Sequence, residues 1–289
     1  MIKFSEDSSI QFDKPTVYFN GGEVHTTVKW GSYKLNKIKL EALIKTADDL
    51  MELVMVKDAI DRLNVFTRQP VVLTMPYIPY ARQDRVANVG EALGIKVFAD
   101  MLNAMNFDKV VVSDSHSPVA LALIKNVMEI PQEALLVNVY HSHSGFHSQD
   151  MVLAPDVGSL KKAKKFADKL ELPLLTATKS RNTSTGMLSN VEIQFTNQLT
   201  IEYVKDRISK GGKLLIVDDI CDGGGTFLGL GSALVEKGLL RGKPRDAGDE
   251  QEFSGAALLV THGIFAKNAK VRLSKYYEVV AAAYDWTKE

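Results

Sequence analysis

The stretch KLLIVDDICDGGGTF, residues 213–227, indicates a buried strand that runs directly into a ligand-binding loop. An apolar run ends in Asp218 and Asp219. A third aspartate, three glycines and a threonine follow before the sequence becomes amphipathic. Glycine adopts positive φ without strain and lets the backbone approach a ligand closely. The N–H groups at the start of the following helix favour an anion. The stretch therefore predicts a strand, a phosphate cradle and a helix, with an acidic pair suited to sugar hydroxyls or to a cation.

The composition limits both the architecture and the class of partner. A chain of 289 residues that is 45% hydrophobic can form two domains of ordinary size. Its 35 basic and 35 acidic side chains balance, so nothing favours a nucleic-acid partner. The single cysteine, Cys221, excludes an intramolecular disulfide and a Cys-based zinc site. Neither a signal peptide nor an apolar run of about 20 residues is found, so we expect a soluble, cytoplasmic protein without a membrane partner.

Short apolar runs alternate along the chain with longer stretches of helical periodicity. Strands are expected at 70–75, 108–116, 150–156, 172–178, 213–219 and 255–263, and helices at 46–63, 90–105, 159–172 and 226–238. Such alternation favours parallel sheets with helices on both faces. Because the rhythm occurs twice, we predict two α/β domains, 1–135 and 136–289. Residues 240–255 are expected to form a surface excursion, and the apolar stretch 275–286 to pack against one of the domains.

The loop MPYIPYARQDR, residues 75–85, follows the first of these strands. In open parallel sheets, ligands bind at the carboxyl ends of the strands. Arg82 offers a planar fork for phosphate, and Gln83 can read the edge of a base. The alternative interpretation is a solvated charged turn.

Two further strand ends carry side chains that could contact a divalent cation. His116 lies in SDSHSP, residues 113–118, and Asp156 lies in APDVGS, residues 154–159. The alternative is that neither binds a ligand: His116 would be a structural histidine at a strand end, and Asp156 would stabilise a turn. Together they could contact a hard cation directly or through water.

Two polar segments remain. TKSRNTSTGMLSN, residues 178–190, is either a surface loop or a lid that brings Lys179 and Arg181 over a reacting phosphate chain. YHSHSGFH, residues 140–147, has three histidines at a spacing that could bind a transition metal, but a polar loop is favoured. The chain has neither a P-loop motif nor a dinucleotide fingerprint, which disfavours a P-loop kinase and a dinucleotide oxidoreductase.

YARQDR and VDDICDGGGT together resemble the ribose-phosphate pyrophosphokinase family, also called phosphoribosyl pyrophosphate synthetases, from about residue 17 to about residue 275. The resemblance implies two tandem type I phosphoribosyltransferase-like domains, each a mostly parallel sheet flanked by helices. It also implies the conversion of ATP and ribose 5-phosphate to AMP and 5-phosphoribosyl 1-diphosphate with Mg²⁺, by an enzyme that is commonly a homo-oligomer built from dimers, often a hexamer.

The resemblance also implies a role for each matching residue. Lys179 and Arg181 match the family's catalytic pair, and His116 and Asp156 match its Mg²⁺–ATP ligands. The residues implied for ATP are Phe19, Gly21, Gly22, Glu23, Arg82 and Gln83. The residues implied for ribose 5-phosphate are Asp218, Asp219, Asp222, Gly223, Gly224, Gly225 and Thr226.

Two alternatives to the synthetase remain open from the sequence. A type I phosphoribosyltransferase uses the same sugar-phosphate loop but consumes the diphosphate, and YARQDR together with the two-domain length argues against it. A non-catalytic regulatory homologue is the second alternative. The presence of Lys179, Arg181, His116 and the acidic pair argues against that one.

Overall fold

The structure is a computed structural model that describes residues 1–5, 10–30, 37–65, 68–181, 188–195, 200–240 and 255–288. It divides into two compact units, Met1–Pro131 and Gln132–Glu289. The functional domain limits expected from the sequence, 1–135 and 136–289, stay a prediction.

The first unit contains a five-stranded sheet and a separate hairpin. Its strands are β1 (Ile2–Phe4), β2 (Ile10–Tyr18), β3 (Val24–Trp30), β4 (Ile38–Ala42), β5 (Val71–Thr74), β6 (Lys109–Ser113) and β7 (Val127–Ile130). The sheet order is β1-β4-β5-β6-β7, and β1 is antiparallel to β4 while the other pairings are parallel. Strands β2 and β3 pair antiparallel as the hairpin.

Among the described residues of this unit, three helices accompany the sheet: α1 (Ala47–Asn64), α2 (Gly94–Ala104) and α3 (Pro118–Leu123). Helix α1 begins at a capping box, in which the Thr46 hydroxyl accepts from the Asp49 N–H and the Asp49 carboxylate accepts from the Thr46 N–H. Helix α2 begins four residues later than the sequence predicts. Before it, the Glu91 carboxylate accepts hydrogen bonds from the N–H groups of Ala87 and Asn88 and closes a turn.

The second unit contains a six-stranded sheet. Its strands are β8 (Met151–Ala154), β9 (Leu174–Arg181), β10 (Leu188–Phe195), β11 (Leu214–Cys221), β12 (Ala256–Gly263) and β13 (Val279–Asp285), in the order β10-β9-β8-β11-β12-β13. Only the β9–β10 pairing is antiparallel among these described strands. Strand β12 is buried along its whole length, as expected for the centre of a parallel sheet covered on both faces.

The helices of the second unit are α4 (Gln132–His141), α5 (Leu160–Leu170), α6 (Ile201–Ser209), α7 (Gly225–Glu236) and α8 (Ala269–Leu273), followed by a 3₁₀ turn, Trp286–Lys288. Buried side chains form two clusters in this unit: one contains Leu214, Phe227 and Leu234, and the other contains Phe166 and Leu215. Alternate residues of β11 thus contribute to the two clusters, as period-two strand geometry requires.

The predicted fold class is confirmed: both units are α/β, with mostly parallel sheets and helices alongside. The apolar stretch 275–286 is explained by β13, which pairs with β12 at the sheet edge. The expected surface excursion lies outside the described residues from 241 to 254. No helix in the described ranges is both long and apolar enough to cross a membrane.

Candidate active site

The predicted phosphate loop joins β11 to α7. The strand is buried from Leu214 to Val217, and the helix begins at Gly225. Gly224 has φ of +75°, which suits glycine, and no described side chain caps the helix there. The first N–H groups of a helix have no acceptor inside it. A Cβ built at Gly223 or Gly225 would meet no described atom within 4 Å, so the loop borders open space into which its N–H groups can bind an anion.

The acidic pair lies near the carboxyl end of β11, two residues before its last residue, Cys221. The Asp219 N–H donates to Asp218 Oδ1 at 2.9 Å, which fixes the first carboxylate against the backbone. Burial, and after it the charge of Asp219, raises the pKa of Asp218 well above its ordinary value, and Asp156 adds to the effect. Asp156, Asp218 and Asp219 are therefore electrostatic neighbours. Such a site favours groups that donate hydrogen bonds, such as sugar hydroxyls, or a cation.

Lys162 is a further charged residue at the acidic pair. Its Nζ lies 3.8 Å from Asp219 Oδ2, and its side chain is 31% exposed while that of Asp219 is 10% exposed. The sequence assigns this lysine to an exposed helical face. Lys162 lies in the first turn of α5, soon after the Asp156 turn, and this position in the sequence could have predicted that it lies near the strand ends.

Asp156 begins the turn between β8 and α5. Its Oδ1 accepts from the Ser159 N–H at 3.0 Å, and the Ser159 hydroxyl donates to the Asp156 carbonyl at 3.0 Å. A Cβ on Gly158 would lie 3.3 Å from Asp156 Oδ1, so the turn is closely packed around the carboxylate. Asp156 is only half-buried. The turn thus presents a carboxylate at the carboxyl end of the sheet.

In the first unit, Arg82 and Gln83 lie exposed in the loop after β5. The Gln83 N–H donates to the Tyr80 carbonyl at 2.8 Å, and the Gln83 carbonyl accepts from the Ile95 N–H at 3.3 Å. The Gln83 side chain lies against the start of α2, because a Cβ on Gly94 would be 2.2 Å from its Oε1. The loop backbone is fixed on both sides, while the two polar side chains reach solvent.

His116 lies at the tip of the turn after β6. Its neighbours Asp114, Ser115 and Ser117 are buried, while His116 itself is exposed. The Ser115 N–H donates to the Glu129 carboxylate at 2.7 Å, and the Ser117 hydroxyl accepts from the Val119 N–H at the start of α3. A rigid turn therefore presents the imidazole at the carboxyl end of the first sheet.

The turn of the β2–β3 hairpin carries four predicted nucleotide-binding residues. The Phe19 N–H donates to the Glu23 carbonyl at 2.9 Å, and the Gly22 N–H donates to the Phe19 carbonyl at 2.8 Å. Gly22 has φ of +87°. Phe19 is 53% exposed, with its ring 6.3 Å from that of His25. An exposed phenyl ring on a closed turn is suited to stack on a planar ligand.

Lys179 and Arg181 belong to β9, where their Cα atoms pair with those of Val191 and Leu188. The polar loop predicted for 178–190 is therefore strand at both ends. The intervening residues 182–187 and the two cationic side chains lie outside the described part of the chain. The assignment of these two residues to catalysis stays a prediction.

The three histidines of 140–147 are distributed along a helix end and a turn. His143 Nδ1 is 2.8 Å from the Val139 carbonyl, and His147 Nε2 is 3.0 Å from the Gly211 carbonyl. These rings contact backbone oxygens of their own unit, which agrees with the structural interpretation favoured from the sequence. Across the described ranges, no three His, Cys, Asp or Glu side chains lie close enough together to hold a metal ion.

Cys221 is fully buried between the acidic pair and the glycines. Burial raises the pKa of its thiol to about 12, and the carboxylates of Asp222 and Asp218 add to this while Arg272 opposes it. The side chain is therefore a neutral packing residue at neutral pH.

Comparison with known proteins supports the family resemblance that the sequence motifs indicate. The family model for the N-terminal domain of ribose phosphate pyrophosphokinase matches residues 35–105, and the model for the phosphoribosyl transferase domain matches residues 126–241. The ribose-phosphate pyrophosphokinase of Pyrococcus furiosus is 32% identical over 245 residues, which cover 84% of this chain and 76% of the relative. That of Clostridium tetani is 31% identical over 200 residues, which cover 66% of this chain but only 55% of the relative.

A solved structure shares the fold. The phosphoribosylpyrophosphate synthetase of Mycobacterium smegmatis superimposes with a TM-score of 0.68 at 21% identity, covering 94% of this chain and 80% of that one. The match extends over both units. With the two family models and the Pyrococcus relative, it leads to one conclusion: the chain belongs to the ribose-phosphate pyrophosphokinase family.

Proposed function

We propose that this chain transfers the diphosphoryl group of ATP to the 1-hydroxyl of ribose 5-phosphate, giving 5-phosphoribosyl 1-diphosphate and AMP. The observation that carries the proposal is the pair of family matches in one chain, a pyrophosphokinase N-terminal domain at 35–105 and a phosphoribosyl transferase domain at 126–241. Relatives that bear the name ribose-phosphate pyrophosphokinase support the same activity.

Ribose 5-phosphate binds at the end of β11 in this proposal. The loop from Asp222 through Gly223, Gly224 and Gly225 to Thr226 holds the 5-phosphate with its N–H groups, and Asp218 and Asp219 accept hydrogen bonds from the ribose hydroxyls. The raised pKa of Asp218 supports this division of roles, because a crowded acidic site repels phosphate and attracts hydroxyl donors.

ATP binds to residues of the first unit. Arg82 offers its guanidinium to phosphate oxygens, Gln83 reads the adenine edge, and Phe19 stacks on the ring. Gly21, Gly22 and Glu23 form the turn near the nucleotide. Exposure of the Arg82, Gln83 and Phe19 side chains on hydrogen-bonded loops supports the assignment, since such side chains can reach a ligand without rearrangement of the backbone.

The reaction is an in-line displacement at phosphorus. The 1-hydroxyl oxygen attacks the β-phosphorus, the bond from that phosphorus to the α-phosphate oxygen breaks, AMP leaves, and the hydroxyl proton is released. Such transfers depend on positioning and on neutralisation of charge. Lys179 and Arg181 provide cations for the charge that develops on the transferred group.

We infer that Mg²⁺ is the cofactor. Mg²⁺ is usually held by one or two protein ligands together with substrate phosphates and water. Asp156 is a candidate ligand through a carboxylate oxygen, and His116 is a candidate ligand through its imidazole or an intervening water. When bound, Mg²⁺ neutralises charge on the phosphate chain.

We also propose a cellular location and an oligomeric state for the enzyme. We place it in the cytoplasm as a homo-oligomer, hexameric or otherwise built from dimers, acting on small molecules without a nucleic-acid or membrane partner. The single cysteine agrees with a reducing compartment, and the balanced charge agrees with the lack of a nucleic-acid partner.

A coupled assay for AMP tests the proposal. With ATP, Mg²⁺ and ribose 5-phosphate, and with no nucleobase present, the chain should form AMP only when the sugar phosphate is added. A type I phosphoribosyltransferase would form none under these conditions, and a regulatory homologue would also be silent. Absence of sugar-dependent AMP from the folded protein would refute the proposal.

A further inference from the structure

Arg272 in α8 contacts the phosphate loop from a part of the chain that no motif indicates. Its guanidinium donates a hydrogen bond to the backbone carbonyl of Gly223, across 49 positions of sequence. The residue is exposed and lies outside both matched ranges, 35–105 and 126–241. A cationic side chain is therefore hydrogen-bonded to the loop that is expected to bind phosphate.

The same segment supports the loop at two other points. The Phe265 N–H donates to the Cys221 carbonyl at 3.0 Å. A Cβ on Gly224 would lie 3.3 Å from Leu273 Cδ1 and 3.5 Å from Ala269 Cβ, so α8 packs directly against the glycine. Phe265 itself has φ of +51°, a conformation that a bulky residue keeps only where surrounding contacts hold it. The segment 263–273 is therefore a fixed support for one side of the loop.

The contact made by Arg272 determines where a neighbouring N–H group points. The Gly223 carbonyl and the Gly224 N–H belong to one peptide group, which is planar and trans, so the two bonds point in opposite directions. When Arg272 holds the carbonyl towards α8, the Gly224 N–H faces away from α8. A peptide between two glycines can rotate easily because neither has a Cβ. Rotation would present a carbonyl oxygen, which repels phosphate, where the N–H had been.

We propose that Arg272 is a positioning residue that locks the Gly223–Gly224 peptide in the orientation that donates the Gly224 N–H to the substrate's 5-phosphate. The inference rests on the proposed function for the identity of the anion. It deepens that proposal by naming a residue outside the loop that sets the loop's affinity for ribose 5-phosphate. The locking itself is a property of the free protein and can be measured without any turnover.

The first experiment observes the peptide directly. When glycine is labelled at both its carbonyl carbon and its nitrogen, a carbonyl-correlated amide spectrum reports only the glycines that follow another glycine, namely Gly22, Gly212, Gly224 and Gly225. In the ligand-free Arg272→Met variant, the Gly224 signal should move or broaden while those of Gly22 and Gly212 stay in place. An unchanged Gly224 signal would overturn the inference, whether or not the protein is active.

The second experiment measures the consequence for binding. Arg272→Met should weaken ribose 5-phosphate binding in calorimetry, and raise the KM for that substrate, by about 10-fold, the size of one lost charge-assisted hydrogen bond. The KM for ATP should stay unchanged, and Arg272→Lys should recover part of the loss because it keeps a charged donor. Lys275→Met removes an exposed charge of the same surface, whose ammonium contacts the Tyr276 ring, and should behave as wild type.

The outcomes separate the two proposals. If wild type forms 5-phosphoribosyl 1-diphosphate and Arg272→Met binds the sugar phosphate equally well, the inference fails and the proposed function stands. If wild type neither binds nor converts ribose 5-phosphate, the proposed function fails, and the Gly224 signal in the free variant still decides whether Arg272 locks the peptide. An equal loss in Lys275→Met would also overturn the inference, because net charge alone would then explain the effect.

Discussion

Replacement of Gly94 by alanine should weaken ATP binding while leaving the fold intact. Gly94 is the first residue of α2, and the Gln83 side chain lies across it. The added Cβ would be 2.2 Å from Gln83 Oε1, 3.0 Å from its Cδ and 3.1 Å from its Cβ. The whole side chain must therefore move, with its terminal amide shifting by more than 1 Å to reach an ordinary contact of at least 3.4 Å.

The structure separates the cost in stability from the cost in binding. Gln83 is exposed, so its side chain can rotate away at a cost of about 0.5–1.5 kcal/mol. Because Gly94 is the first residue of the helix, alanine recovers at most the gain of about 0.5–1 kcal/mol that it has over glycine in a helix interior. The free energy of unfolding should therefore fall by no more than about 1.5 kcal/mol. Loss of the amide's hydrogen bonds to adenine should cost about 1–2 kcal/mol and raise the KM for ATP about 10-fold.

Steady-state kinetics with each substrate varied in turn provides the assay. Gly229→Ala is the matched control, because Gly229 lies in α7 and a Cβ there would meet no described atom within 4 Å. That control should be slightly stabilised and kinetically normal. A wild-type KM for ATP in Gly94→Ala, with the variant folded, would refute the assignment of Gln83 to the nucleotide site.

Four further predictions concern catalysis, charge and packing. Lys179→Ala should lower kcat by about 10²–10³ with little change in either KM, and undiminished turnover would remove Lys179 from the mechanism. Asp218→Asn keeps an acceptor for the Asp219 N–H but removes a carboxylate whose pKa is raised by burial and by Asp219. The substitution should therefore raise the free energy of unfolding by about 1 kcal/mol at neutral pH, and it should weaken ribose 5-phosphate binding. A carboxyl group with a raised pKa in the folded state binds its proton more tightly there than in the unfolded state. The extra stability of the variant over wild type should therefore shrink as the pH falls towards about 4. A stability difference in thermal denaturation that does not depend on pH would contradict the charge explanation. Tyr277→Phe removes a buried hydroxyl that donates to the Phe227 carbonyl at 2.6 Å, and should destabilise by about 1–2 kcal/mol without changing either KM, as chemical denaturation and kinetics together can check. Chelation of Mg²⁺ should abolish AMP formation and its replacement should restore it, whereas full activity in excess chelator would exclude the metal.

The central strands of both sheets were predictable because each is a short apolar run that ends in polar or turn residues. The run at 70–75 became β5, and the run at 213–219 became β11, which continues two residues beyond the acidic pair. The fold class follows from the regular alternation of these runs with helices, since parallel strands need crossover connections.

Peripheral elements were harder to predict because their residues are only partly buried. Strands β2 and β3 form a hairpin of mixed polarity that lies outside the main sheet, and their pattern alone did not indicate strands. At β9–β10, polar residues that suggested a loop instead pair along an antiparallel sheet edge, where backbone hydrogen bonds compensate for a weak apolar pattern.

The positions of the candidate residues could be predicted where one motif contains them, and not where residues distant in sequence meet. The glycines, the acidic pair and the Arg82–Gln83 loop are each consecutive residues, and all lie at or just after the ends of strands. Their roles in binding stay predictions. Arg272 could not be predicted, because its contact depends on a helix from later in the chain reaching the loop after β11. For Lys162 the only signal in the sequence was its place in the first turn of α5, soon after the Asp156 turn.

The fate of the ATP phosphates tests the central claim most directly. ATP labelled separately at its α-, β- or γ-phosphate would be incubated with the protein, Mg²⁺ and ribose 5-phosphate, and the products separated. The β and γ labels should both appear in the sugar product while the α label stays in AMP, because the displacement occurs at the β-phosphorus. Transfer of the γ label alone, with ADP as the second product, would contradict diphosphoryl transfer and with it the function proposed for this chain.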